Sequence, residues 1–110
     1  MAYQLACKLD QLDEGSGREL LVDGRIVALF VVDRAVFAVD GICAHQGGPI
    51  SQGAVDRHCV TCPWHGWQYD VRSGTNLLTG RQMLDCFPVE VRGDEVWVDV
   101  QDAITCKKDA

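Results

Sequence analysis

Short runs of alternating apolar and polar residues, separated by turn dipeptides, occupy most of the chain, and helix signals are weak throughout. This pattern is typical of an antiparallel all-β domain. The runs Arg18–Val22 and Arg25–Val32 flank Asp23-Gly24, whose tolerance of positive φ suits a tight hairpin turn. A second turn at Asp33-Arg34 leads into a predicted strand over Ala35–Val39.

The clearest predicted hairpin lies near the end of the sequence. Residues Val89–Arg92 and Val96–Val100 flank the turn dipeptide Gly93-Asp94. Valines alternate along both runs, which predicts that each strand turns one face toward a core.

The segment Gly41–Arg81 is richer in glycine than its flanks, and we interpret it as an inserted lobe rather than a linker. Two loops placed side by side at one tip of this lobe would bring their polar and sulfur side chains together. The elements predicted within it are a loop over Cys43–Ser51, a strand around Arg57–Thr61, a loop over Cys62–Gly66, a strand over Trp67–Val71 and a turn at Ser73-Gly74.

Both predicted loops carry a cysteine followed closely by a histidine. The motifs are Cys43-Ala44-His45 and Cys62-Pro63-Trp64-His65. Zinc fingers place a cysteine pair before a histidine pair, whereas each motif here offers one thiolate and one imidazole. This arrangement indicates a metal centre to which each loop supplies one sulfur and one nitrogen ligand.

With their neighbours, these motifs resemble the Rieske family over Cys43–Asp70; the matching neighbours are Gly47, Pro49, Gly53, Gly66 and Trp67. The resemblance implies a Rieske fold, an antiparallel β-sandwich with an inserted cluster-binding lobe of two glycine-rich loops, at about residues 41–81. It implies one [2Fe-2S] cluster, with Cys43 and Cys62 on one iron and His45 and His65 on the other.

The resemblance also implies which residues surround the cluster: Gly48, Pro49, Trp64, Gly66, Trp67, Tyr69 and Pro88. High-potential members of the family carry a disulfide at the positions of Gly48 and Trp64 and a serine hydroxyl at the position of Trp67, while their tyrosine is matched by Tyr69. Lacking the disulfide and the serine, this chain resembles the low-potential ferredoxins, near the lower limit of about -150 mV for such centres.

Several of these residues have an alternative interpretation. Trp64 and Trp67 could be core aromatics instead of a shield against water, and Pro88 could be an ordinary strand start instead of a cover for the cluster. We expect His58, which has no cysteine partner in such a motif, to be a solvated strand residue.

The chain has six cysteines, at positions 7, 43, 59, 62, 86 and 106. Cys59 and Cys62 form a Cys-x-x-Cys pair, but the family register favours Cys62 as the ligand. Cys59 is then a small buried strand residue, and Cys7, Cys86 and Cys106 are structural or incidental.

Length and charge narrow the function. The 110 residues predict a single Rieske domain over 1–110, without room for an oxygenase site. A formal charge of -6 argues against nucleic-acid binding and suits basic partner surfaces. The sequence shows neither a signal peptide nor an apolar run of about 20 residues, so we expect a cytoplasmic location without membrane contact.

These features predict an electron-transfer protein rather than an enzyme, since no nucleophile, carboxylate pair or phosphate loop is recognisable. The resemblance implies a Rieske ferredoxin that passes electrons from an NAD(P)H-dependent flavoprotein reductase to a terminal ring-hydroxylating oxygenase by transient docking. Two alternatives stay open: a Rieske-like small subunit of nitrite reductase, and a structural zinc-binding module.

Overall fold

The computed structural model describes residues 3–43, 47–64 and 66–101. All pairings between its strands are antiparallel. The strands are β1 Gln4–Lys8, β2 Gly17–Val22, β3 Arg25–Val32, β4 Ala35–Asp40, β5 Ala54–Asp56, β6 Cys59–Thr61, β7 Gln68–Asp70, β8 Thr75–Asn76, β9 Cys86–Phe87, β10 Val89–Arg92 and β11 Glu95–Val98. Two short 3-10 helices, Leu9–Gln11 and Ile50–Gln52, complete the regular elements of these ranges. None of their helices is long and apolar enough to cross a membrane.

The strands form three sheets. The outer sheet has the order β1-β11-β10, the middle sheet β2-β3-β4-β9, and the lobe sheet β5-β6-β7-β8. The lobe sheet lies between β4 and β9 along the chain, so the prediction of an all-β fold with an inserted lobe is confirmed. The single domain over residues 1–110 stays a prediction.

Strand β3 explains how the three sheets stack. Val27 and Leu29 belong to a core shared with the outer sheet, whereas Ala28 and Phe30 belong to a core shared with the lobe. Because successive side chains of a strand point to opposite faces, both faces of the middle sheet are buried. The nearly continuous apolar run of β3 is the sequence mark of this position.

The two predicted turns on either side of β3 are confirmed. Asp23 and Gly24 have φ values of 48° and 82°, as a type I′ hairpin turn requires. Asp33 and Arg34 also have positive φ, at 54° and 68°. The Glu14 carboxylate accepts hydrogen bonds from both backbone amides, at 2.6 and 3.1 Å, and this offsets the strain of two residues other than glycine in the left-handed region.

Three predicted strands were wrong in extent. The last strand is Glu95–Val98 rather than Val96–Val100, since Arg92 pairs with Glu95 directly across the turn. The strand expected around Arg57–Thr61 begins only at Cys59, because Arg57 has φ 58° and forms the turn between β5 and β6. The strand expected over Trp67–Val71 is shorter by one residue at each end.

An ion-pair cluster joins the lobe to the middle sheet. The Arg25 guanidinium donates to Asp40 at 2.7 Å, where the chain leaves β4, and to Asp85 at 3.1 Å, where it returns to β9. The Asp85 amide also donates to the Asp40 carboxylate, at 2.8 Å. Burial and, to a smaller extent, the charge of Asp85 raise the pKa of Asp40, although the hydrogen bond from the Asp85 amide and the Arg25 guanidinium act in the opposite direction.

Candidate metal centre

The first cysteine loop begins where the chain leaves the middle sheet. The Cys43 amide donates to the Gly48 carbonyl at 2.8 Å, and the Gly47 amide donates to the Cys43 carbonyl at 3.0 Å. Gly47 has φ +76°, a conformation that glycine adopts without steric cost. A bridge between Ile42 and Pro49 closes the base of the loop, and the Cys43 side chain is buried.

The second loop repeats this construction after β6. The Cys62 amide donates to the Trp67 carbonyl at 2.7 Å, and the Gly66 amide donates to the Cys62 carbonyl at 3.0 Å. Gly66 has φ +75°, and Cys62 is buried like Cys43. In both loops, therefore, the cysteine bonds to the residues four and five positions later, and a left-handed glycine makes the turn possible.

The two loops touch at Gly48. A Cβ atom added there would lie 2.8 Å from the Cys62 sulfur and 3.0 Å from Cγ of Trp64, so only glycine fits. Gly48 and Trp64 hold the positions that carry the disulfide in high-potential members of the family, and they face each other here. Both sulfurs belong to the core between the lobe and the middle sheet.

The predicted ligands His45 and His65 lie outside the described residues. In the sequence each stands between the cysteine and the left-handed glycine of its loop. No group of three possible metal-binding side chains occurs among the residues that the structure describes. The roles of the two histidines, and the ligand set of Cys43, His45, Cys62 and His65, therefore stay predictions.

Tyr69 supplies a hydroxyl group to the centre. Its side chain is fully buried, and Oη lies 3.2 Å from the Cys43 sulfur. If Cys43 is a thiolate, the hydroxyl must be the donor, and a hydrogen bond to an ionised acceptor is among the stronger kinds. Tyr69 is thus positioned to stabilise negative charge on this sulfur.

The two tryptophans of the second loop differ in their surroundings. Trp64 is 56% exposed, so the interpretation of this residue as a core aromatic was wrong. Trp67 is half-buried and packs against the core that contains both sulfurs. The carbonyl of Trp67 accepts the Cys62 amide, so this residue also fixes the loop through its backbone.

The other described cysteines, Cys7, Cys59 and Cys86, have raised pKa values. Burial, followed by the nearby Asp85, raises the pKa of Cys86 to about 11, so this thiol stays protonated although it shares the core with Cys43 and Cys62. Burial also raises the pKa values of Cys7 and Cys59. Thiolates rather than thiols are metal ligands.

The prediction for Cys59 needs one correction. Cys59 lies on β6 as predicted but is only partly buried. Cys106 lies outside the described residues. The five described cysteines form no disulfide with one another.

The two prolines named from the resemblance have clear backbone roles. Pro49 closes the first loop through its bridge to Ile42 and precedes a 3-10 helix. Pro88 joins β9 to β10, and its carbonyl accepts the Asp99 amide at 3.1 Å. Whether Pro88 covers a cluster stays a prediction.

His58 was expected on a strand, but it lies in the turn between β5 and β6. Its ring meets the Phe37 ring edge to face, with centroids 5.7 Å apart. It is partly buried rather than fully solvated.

Sequence reasoning missed the turn after β8. Leu77 and Leu78 are exposed there, while Asn76, which holds the turn, is buried. Two consecutive leucines beside turn-forming residues were the available signal.

Two buried sulfurs from matching loops, with a buried hydroxyl beside one of them, suit a soft metal or an iron–sulfur cluster. The chain matches the Rieske [2Fe-2S] domain family over residues 2–88. It belongs to this family. Membership favours an iron–sulfur cofactor over the zinc alternative, and Cys43 and Cys62 stay its predicted ligands among the residues described.

Two kinds of similar protein bear on the function of this chain. The ferredoxin component of the p-cumate 2,3-dioxygenase system of Pseudomonas putida is 34% identical over 97 residues, which cover 86% of this chain and 82% of that protein. A solved complex of oxygenase and ferredoxin in carbazole 1,9a-dioxygenase contains a chain with a TM-score of 0.79 and 26% identity, covering 87% of this chain and 91% of that chain.

The second kind is represented by a structure assigned as the small subunit of an NADH-dependent nitrite reductase from Mycobacterium tuberculosis. Its TM-score is 0.81 and its identity 28%, and the match covers 94% of this chain and 96% of that chain.

Proposed function

We propose that this protein is a low-potential Rieske ferredoxin, an electron carrier rather than an enzyme. It would take single electrons from an NAD(P)H-dependent flavoprotein reductase and deliver them to a terminal oxygenase. One [2Fe-2S] cluster would be held by Cys43 and Cys62 on one iron and by His45 and His65 on the other. The observation that carries the proposal is the pair of matching loops, which brings two buried sulfurs into one core beside Gly48.

When bound, such a cluster stores one electron at a time. The residues of the chain set the conditions for that storage. The loop hydrogen bonds hold the two sulfurs in place, the core keeps water from them, and the Tyr69 hydroxyl stabilises negative charge on Cys43. Each of these contributions is a fixed feature of the fold, so it needs no rearrangement when an electron arrives.

The proposed potential lies near the lower limit of about -150 mV for Rieske centres. Trp67 stands where high-potential members have a serine, and the contact between Gly48 and Trp64 replaces their disulfide. One hydroxyl donor, that of Tyr69, is present. Fewer hydrogen bonds to a cluster leave the reduced, more negative state less stabilised.

The proposed partners follow from the similar proteins. The p-cumate relative is a ferredoxin component of a dioxygenase system, and the carbazole ferredoxin forms a complex with its oxygenase. We extend these roles to this chain, with transient docking to both redox partners in the cytoplasm. Neither a nucleic acid nor a membrane belongs to the proposal.

Two variants test the ligand assignment, because Cys59 and Cys62 lie three residues apart. Cys62→Ser should abolish the visible absorption and the electron paramagnetic resonance signal of the reduced cluster, since a hydroxyl is a poor substitute for a thiolate. Cys59→Ser should keep both signals. Loss of the cluster in the Cys59 variant alone would reverse the assignment, and a colourless wild-type protein that contains zinc would refute the proposed function.

The small subunit of nitrite reductase is the second candidate, favoured by the TM-score of 0.81 with the Mycobacterium tuberculosis structure. It predicts a stable stoichiometric complex with a large catalytic subunit. Purification of the untagged protein from its native host separates the two candidates. Elution as a small isolated protein supports the ferredoxin, and co-elution with a larger subunit that has nitrite reductase activity supports the alternative.

A further inference from the structure

The turn after β8 exposes two leucines. Leu78 is 87% exposed and Leu77 is 50% exposed. Leu78 has the largest exposed fraction of the large hydrophobic residues in the described part of the chain. Single exposed apolar residues are common, but two in succession on one turn indicate a contact surface.

This turn is rigidly built. The buried Asn76 side chain accepts hydrogen bonds from the Leu78 amide at 2.9 Å and the Thr79 amide at 3.0 Å. The Asn76 backbone amide donates to the Arg81 carbonyl, and the Gly80 amide donates to the Asn76 backbone carbonyl, both at 2.8 Å. A leucine held by such a turn loses little backbone freedom when a partner binds it, which favours affinity.

The leucines lie beside the second cysteine loop. The Leu77 amide donates to the Gln68 carbonyl at 2.9 Å, and Gln68 pairs with Thr61, the residue before Cys62. Two more exposed apolar side chains lie in or next to the loops. Trp64 lies within the second loop, two residues after Cys62, and Ile42 directly precedes Cys43. We call these four residues the apolar collar: Ile42, Trp64, Leu77 and Leu78, which are 42%, 56%, 50% and 87% exposed.

Most acidic residues of the protein lie outside the segment of the chain that carries this collar. Residues 41–84 contain two acids and three bases, a net charge of +1, although the whole chain carries -6. The two acids are Asp56 and Asp70. Asp56 lies beside the β5–β6 turn, whereas Cys62 follows the other end of β6. Asp70 is the last residue of β7, whereas Gly66 precedes the first. Asp70 is paired with Arg72 at 2.7 Å.

We propose that Leu78 is the anchor of the docking surface for the oxygenase, and that it enters an uncharged apolar pocket on the oxygenase surface. This inference rests on the proposed function. The collar residues lie in or next to the two cysteine loops or on the adjoining turn after β8, and the segment that carries them, residues 41–84, has a net charge of +1 instead of the acidic charge that a basic partner surface would need. Burial of Leu78 and its neighbours would then hold the complex, while the acidic charge of the remaining sheets acts only at longer range.

Three variants test the anchor. Leu78→Ser removes the apolar contact, Leu78→Met keeps it, and Leu5→Ser makes the same change on β1 of the outer sheet, where Leu5 is 49% exposed. The oxygenases of the carbazole 1,9a- and p-cumate 2,3-dioxygenase systems serve as electron acceptors. The measurement is substrate turnover as a function of ferredoxin concentration, at low and high salt.

We expect Leu78→Ser to raise the KM for ferredoxin about tenfold with little change in kcat, because the contact acts in binding. Leu78→Met and Leu5→Ser should stay within about twofold of the wild type. The ratio of KM between Leu78→Ser and the wild type should be the same at both salt concentrations. The visible spectrum and the midpoint potential of all variants should match the wild type.

Two results would overturn the anchor while leaving the proposed function intact: equal KM values for Leu78→Ser and Leu5→Ser, or a Leu78→Ser effect that disappears at high salt. Failure of the wild-type protein to deliver electrons to either oxygenase would instead count against the oxygenase as acceptor, and so against the proposed function and the anchor together.

Discussion

The lobe differs from the outer and middle sheets in strand length, in net charge and in the contacts that stabilise it. The outer and middle sheets have strands of four to eight residues, apart from β9. The part of the chain outside residues 41–84, which contains these sheets and both termini, carries fourteen of the sixteen acids and a net charge of -7. The lobe has strands of two or three residues and a net charge of +1. Long strand pairs stabilise the sheets, whereas close backbone contacts and loop hydrogen bonds fix the lobe.

This difference teaches where substitutions should act. In the sheets, a glycine such as Gly93 is required for its positive φ and has open space around it. In the lobe, Gly48 is required for space, because the Cys62 sulfur and Trp64 occupy the volume that a side chain would need. A change in the sheets should therefore cost stability, and a change in the lobe should cost the metal centre.

The largest expected effect is that of Gly48→Ala. The added methyl group would have to displace the Cys62 sulfur or the Trp64 ring, so the two loops would move apart and cluster assembly should fall at least tenfold. The iron and sulfide content per chain, and the visible absorption after anaerobic reconstitution, measure this outcome.

Gly93→Ala is the matched control. The substitution forces a residue with a Cβ atom into the left-handed region, at a cost of roughly 1–2 kcal/mol, but it should leave the cluster content at the wild-type level. A Gly48→Ala protein with full cluster content would show that the two loops can move to make room for a methyl group. The proposed difference between the lobe and the sheets would then be wrong.

The same contrast explains how much could be predicted from the sequence. The hairpins around β3 were predictable because Asp23-Gly24 and Asp33-Arg34 are turn residues between long apolar runs. The lobe strands were not, since two or three residues are too few to show a period, and Arg57 carries no sign of its positive φ.

The sequence predicted that two cysteines of the candidate site come together but not how the loops meet, and the two histidines stay a prediction. The motif spacing pointed to Cys43 and Cys62, and both lie in one buried core. The exposure of Trp64, the contact of Gly48 with the Cys62 sulfur and the exposed Leu78 depend on how two loops meet, which periodicity does not encode.

Arg25→Met tests the junction between the two regions and should have the second largest effect. It leaves Asp40 and Asp85 without the cation that they share. Because hydrogen bonds to charged groups contribute about 1.5–3 kcal/mol, and Arg25 is partly exposed to screening solvent, we expect a loss of roughly 1–2 kcal/mol at neutral pH. Thermal unfolding followed by circular dichroism should show a midpoint lower by roughly 5 °C or more.

The loss at the junction should depend on pH in a defined direction. Burial, and to a smaller extent the charge of Asp85, already raise the pKa of Asp40 above its ordinary 3.8 against the lowering effect of the Asp85 amide, and removal of Arg25 should raise it further. A group whose folded-state pKa is raised favours the folded state when protonated, so stability is lost as pH rises through that pKa. The gap between Arg25→Met and the wild type should hence widen from pH 4 to pH 7.

Arg92→Met is the control for the junction: Arg92 pairs with Glu90 on the exposed face of β10 and lies 4.6 Å from the centre of the Trp97 ring, and these exposed contacts together should contribute less than about 1 kcal/mol. Equal destabilisation by Arg25→Met and Arg92→Met would contradict the prediction. A stability difference between Arg25→Met and the wild type that does not change with pH would contradict it as well. Either result would mean that the ion-pair cluster does not hold the lobe to the middle sheet.

Tyr69→Phe should have the smallest effect, and it separates the chemistry of the lobe from its stability. The variant keeps the buried ring but loses the hydroxyl that lies 3.2 Å from the Cys43 sulfur. That hydroxyl stabilises negative charge on the sulfur, and the reduced centre carries more negative charge than the oxidised one. If the hydrogen bond favours the reduced state by about 1 kcal/mol, its loss should lower the midpoint potential by roughly 40 mV, given about 59 mV per tenfold change for one electron. Voltammetry of Tyr69→Phe and the wild type measures this shift. Tyr3→Phe, which changes a tyrosine outside the lobe, is the control and should leave the potential unchanged. An unchanged potential in Tyr69→Phe would mean that the hydroxyl contributes equally in both redox states, and so acts in packing the lobe rather than in tuning its centre.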